Sequence, residues 1–76
     1  MGLEMTTREQ WAFTELDTRR TEDARFPTEP MRGSPEWDAY AAMKLNRARR
    51  RKARGYSRGA AYALVAWAED QDRRAA

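Results

Sequence analysis

No isoleucine occurs in this chain of 76 residues, and its large aliphatic and phenyl side chains amount to four Leu, one Val and two Phe. A content that low ordinarily signals disorder, because too little apolar surface is available to offset chain entropy. The interior must be built from fourteen Ala, with three Trp, three Tyr and four Met partly refilling it. One small domain of marginal stability is therefore predicted, spanning residues 1–76; two-domain arrangements are excluded by length.

Cysteine and histidine are both absent. That removes disulfides, thiolate nucleophiles, imidazole bases and the usual zinc sites. No base of suitable pKa accompanies Ser34 or Ser57, and no Gly-rich phosphate loop occurs, so the chain is read as non-enzymatic and without a cofactor. Glu69, Asp70 and Asp72 do not have the spacing of an EF-hand loop, so no metal site is assigned. The longest uncharged apolar run, Ala60 to Ala68, is about half the length a membrane-spanning helix requires. Glu4 stands where a secretory signal would carry a basic region, so a cytoplasmic protein with no membrane partner is expected. Met1, Gly2 and Thr6 match the loose N-myristoylation pattern, but no polybasic stretch follows to supply a second anchor.

Three helices are predicted. Thr6 with Glu9 three residues on, or Thr7 with Gln10, forms a capping box opening a helix over about 7–25. Phe13, Leu16, Arg20 and Ala24 share one thin face of it, with Ala12 at the edge. Trp11 points well away from Leu16; it packs against Leu3 and Met5 or stays available to a partner. A linker over 26–34 follows, broken by Pro27, Pro30 and Gly33. Pro27 to Pro30 with Arg32 also fits the minimal pattern of ligands for aromatic-grooved adaptor domains, although the spacer role is preferred. Ser34, Pro35 and Glu36 then form a hydroxyl cap, a first-turn proline and an acid at the positive helix end, opening a helix over about 35–54. Gly55 is placed to end it in a left-handed conformation. Ser57 caps a third, Ala-rich helix over about 58–74, so the second and third helices form an antiparallel hairpin. The fold class is an all-α, three-helix domain.

Charge is distributed unevenly. Residues 1–43 hold nine acids and five bases, 44–58 hold eight bases and no acid, and 59–76 hold three acids and two bases. Thirteen Arg against two Lys beside fourteen Ala is what GC-rich coding produces, so position is more informative than count. Charge runs usually form solvated faces, but solubilising surfaces mix both signs, and here no carboxylate interrupts the block.

On the second helix, Trp37, Ala41, Leu45 and Ala48 lie within about 80° and are read as the packing face. Lys44, Arg47, Arg50, Arg51 and Arg54 occupy a separate arc of about 120°, read as facing outward. Like charges at i, i+4 repel, and a polyanion relieves them, with arginine's planar fork matching phosphate oxygens. These five and Arg58 are the candidate nucleic-acid contacts, the partner being DNA or RNA. Three to five neutralised phosphates correspond to a log–log salt slope of about −3 to −4.5. The usual helix-turn-helix order is disfavoured, because its reading helix would be the apolar third one.

Ala60, Leu64, Trp67 and Ala68 form one face of the third helix, and Tyr62, Ala63 and Ala66 the other. Small alanines permit close helix approach, so one face suits the core and the other a second copy or a foreign protein. Trp11, Tyr62 and Ala66 are the protein-interface candidates for the alternative function, an adaptor or inhibitor of bacterial or phage type docking on a larger machine through aromatic and arginine side chains.

Overall fold

The computed structural model describes residues 4–76. They form α1 (Thr7–Arg25), α2 (Trp37–Ala53) and α3 (Arg58–Ala75), with no strand among the described residues. The Leu3 contact proposed for Trp11 and the Met1–Gly2 acylation pattern lie outside them.

The helix ends follow local chemistry. The Thr6 hydroxyl accepts the Glu9 N–H at 3.1 Å while the Glu9 carboxylate accepts the Thr6 N–H at 2.9 Å, completing the capping box. Gly55 adopts φ +75° beyond the end of α2. There the Gly55 N–H reaches the Lys52 carbonyl at 2.9 Å and the Tyr56 N–H reaches that of Arg51 at 3.0 Å, the paired bonds of a Schellman ending. Ser57 Oγ accepts the Ala60 N–H at 3.1 Å and opens α3. The start of α2 differs from expectation. Ser34 accepts the Trp37 N–H through its carbonyl, so a turn through Pro35 and Glu36 precedes the helix and its N-cap is Glu36. The Ser34 hydroxyl is thereby left too early to cap and is buried without a hydrogen-bond partner.

The core lies between α1 and α3. Ala12 and Ala68 are fully buried, and Ala61 nearly so, because small side chains let the two helices close up. Trp11, Leu16 and Val65 fill the rest, with Phe13, Tyr56, Leu64 and Trp67 packed against them. The face of α3 is rotated relative to the sequence reading: Ala61 and Val65 point inward and Ala60 is exposed. On α1, Ala24 and Arg20 are exposed, while Trp11 and Glu15 are buried.

Phe13 meets Trp67 and Arg20 meets Asp72, so α1 and α3 run parallel. Glu15 and Glu22 meet Arg50 and Arg47 in reverse order, so α2 runs antiparallel to α1. The α2 backbone approaches neither neighbour closely along most of its length, and long side chains bridge the gap to α1. Consequently the packing face assigned to α2 holds only in part, with Trp37, Ala41 and Ala48 half-buried. Leu45 is 58% exposed, and Met43, Arg47 and Arg50, at i, i+4 and i+7, face α1 instead. The linker folds onto the start of α2, with the Arg32 guanidinium 5.5 Å from the Trp37 ring centre.

Candidate functional site

Eight bases between residues 44 and 58 are divided by the fold into two sets. Arg47 and Arg50 form the seam with α1, contrary to their outward assignment. Arg47 donates from Nε to Glu22 at 2.8 Å and from Nη2 to Asp23 at 2.7 Å. Arg50 donates from Nε to Glu15 at 2.7 Å and from both terminal nitrogens to Glu22 at 3.0 and 3.1 Å. Arg19 also donates to Glu15, at 2.8 Å, so one carboxylate with only 2% exposure serves two guanidinium groups. Burial alone pushes the Glu15 carboxyl up, but the hydrogen bonds from Arg50 and Arg19 and their charges outweigh it and hold the pKa below its ordinary value. The Arg50 guanidinium is held more firmly protonated by its bond to Glu15.

The second set forms no ion pair with any described carboxylate: Lys44, Arg49, Arg51, Lys52, Arg54 and Arg58. Three of these, Lys44, Arg51 and Arg58, converge on a cavity of about 620 Å³ between the three helices. Arg19 from α1 and Arg47 from α2 complete its basic rim, and Ala48, Gly59, Ala61 and Tyr62 form its apolar surface; no acid lines it. Two of the rim cations already share carboxylates, whereas the other three are uncompensated. Lys44 is further placed by the Tyr40 ring, 5.5 Å from its Nζ. Arg51 makes only a long 3.5 Å contact with the Tyr56 carbonyl, leaving its remaining donors for a ligand.

The positive end of α3 lies at the same cavity. The N–H groups of Arg58 and Gly59 belong to the first turn, where no intrahelical acceptor exists. Nothing lies within 4 Å of the place a Cβ on Gly59 would occupy, so the backbone there is open to close approach. The arrangement is suited chemically to holding a multiply charged anion with oxygen acceptors.

Four of the six candidate nucleic-acid contacts therefore keep their charge available: Lys44, Arg51 and Arg58 in the groove, and Arg54 exposed at the turn beside it. Arg50 does not reach the groove. Arg19 was missed, because on sequence it falls outside the basic block and only the fold brings α1 alongside. Among the interface candidates, Tyr62 is 74% exposed and Ala66 is exposed, but Trp11 is 8% exposed and packs edge-on against Tyr56, with ring centres 4.9 Å apart. Trp11 is a core residue and leaves almost no surface to a partner. Asp70 pairs with Arg73 and Arg74, and Asp72 with Arg20.

Compared with known proteins, the chain matches no family model, no curated protein and no solved structure.

Proposed function

We propose that this chain is a small, non-enzymatic nucleic-acid-binding accessory or regulatory protein that holds phosphates in the groove between its helices. The observation that carries this reading is the convergence of Lys44, Arg51 and Arg58 with Arg19 and Arg47 on one concavity lined by no carboxylate. Uncompensated guanidinium and ammonium groups held together repel one another, and a phosphate chain is the ligand that removes the repulsion along a path. Arg54 extends the positive surface beyond the groove; Arg49 and Lys52 are exposed as well. The protein-docking alternative loses Trp11 as an anchor and retains Tyr62 and Ala66.

Titration of labelled DNA and RNA across a salt series tests the proposal. Three or four neutralised phosphates give an expected log–log slope of about −2 to −3.6. Replacing Lys44, Arg51 and Arg58 by Ala is expected to abolish most of that slope, while Arg49→Ala with Lys52→Ala changes it little. Undetectable binding at micromolar protein, or binding indifferent to salt, removes the reading.

A further inference from the structure

We propose that the groove takes single-stranded nucleic acid, with one base stacked on Tyr62; the inference rests on the nucleic-acid reading above and narrows it. Shape is the first reason. Proteins read duplexes by pushing a helix or ribbon into a groove of the nucleic acid. Here Lys44, Arg51 and Arg58 line an open depression of about 620 Å³ together with Arg19 and Arg47. A depression of that width fits a slender single strand more closely than the broad cylinder of a duplex. That volume falls within the range of about 300–1,000 Å³ typical of clefts for small ligands, which suits a segment of one or two nucleotides.

The second reason is Tyr62. Every other aromatic ring in the chain has a ring partner: Trp11 with Tyr56, Phe13 with Trp67, and Phe26 and Trp37 with Tyr40. Tyr62 has none and is 74% exposed at the edge of the basic cavity. An aromatic side chain beside a track of cations is the pairing used to hold unpaired bases, whose flat faces stack while their phosphates meet the charges. An adjoining depression of about 260 Å³ shares Tyr62, Arg19 and Arg47 and includes Asp23 and Glu69, so the acid-free lining ends where the two meet. The groove therefore holds a short stretch of strand, with its phosphates towards Lys44, Arg51, Arg58 and the first turn of α3.

Fluorescence anisotropy at low salt tests this with four probes of matched length: an oligothymidylate, the same backbone made abasic, a duplex, and a polyglutamate peptide. The single strand is expected to bind at least about tenfold more tightly than the duplex at equal phosphate concentration. Tyr62→Ala is expected to cost about tenfold with the oligothymidylate and nothing with the abasic strand, and Tyr62→Phe to retain full binding. Tyr62 is exposed, so neither change disturbs the core. Equal or tighter duplex binding, or an oligothymidylate affinity unchanged in Tyr62→Ala, overturns the single-strand inference while leaving the nucleic-acid reading intact. If none of the nucleic acids binds, or polyglutamate binds as well as they do, the nucleic-acid reading itself falls.

Discussion

Glu15 is the residue on which the attachment of α2 depends most directly. Its carboxylate has 2% exposure and accepts hydrogen bonds from Arg50 and Arg19 at 2.7–3.0 Å. Removing one member of such a cluster leaves the others partly buried and unpaired, whereas replacing a whole pair by apolar groups is far better tolerated. Glu15→Ala is expected to lower the unfolding free energy by about 2–4 kcal/mol in urea titration. Glu15→Leu combined with Arg50→Leu is expected to recover most of that loss. The same carboxyl sets an acid limit. Its pKa in the folded chain lies below the ordinary value of 4.5, so its contribution is full above that value and is lost as pH falls through the folded one. Helicity followed by circular dichroism from pH 6 downward is expected to decline more steeply in the native protein than in Glu15→Gln; parallel curves would mean that the carboxylate contributes nothing to folding.

At the scale of helices, the ends were legible in the sequence and the rotations were not. Thr6 with Glu9, Gly55 and Ser57 act through bonds to residues a few places away, so short patterns suffice to find them. The rotation of α2 depends on what α1 presents to it. With few aliphatics available, charge takes the place of apolar packing: Glu15, Glu22 and Asp23 on α1 receive Arg47 and Arg50. The signal that could have found this was the acid excess of the first half set against the basic block, once the two helices are taken as antiparallel. Pairs of this kind contribute less than buried apolar contacts once desolvation is counted. Native-state hydrogen exchange is therefore expected to show the middle of α2 opening at lower free energy than Leu16 in α1 or Val65 in α3. Equal protection in all three helices would mean that α2 is held as firmly as the core. The Ser34 hydroxyl shows the limit of local patterns even at helix ends: one intervening turn moved the cap to Glu36.

At the scale of the whole molecule, the chain is extended, 52 × 30 × 17 Å with a radius of gyration of 14.3 Å. A compact domain of this length would have a radius of gyration of about 11 Å. The elongation follows from a core confined to two helices, with a third joined to them through long side chains. It also leaves room for a groove where α2 stands off from α3. The cations of the molecule are thereby divided between opposed roles. Arg47 and Arg50 neutralise carboxylates and hold α2 in place, whereas Lys44, Arg51 and Arg58 face one another without compensation. Substituting the two sets is consequently expected to have unequal effects on stability. Arg47→Ala with Arg50→Ala is expected to lower the thermal midpoint markedly, because Glu15 and Glu22 lose their partners. Lys44→Ala, Arg51→Ala and Arg58→Ala together are expected to change the unfolding free energy by no more than about 1 kcal/mol, since relief of repulsion offsets loss of the Lys44 contact with the Tyr40 ring and the long Arg51 bond to the Tyr56 carbonyl. Thermal unfolding of both variants at low and high salt distinguishes the roles. If the groove variant unfolds as early as the seam variant, Lys44, Arg51 and Arg58 support the fold, and their convergence no longer points to a ligand.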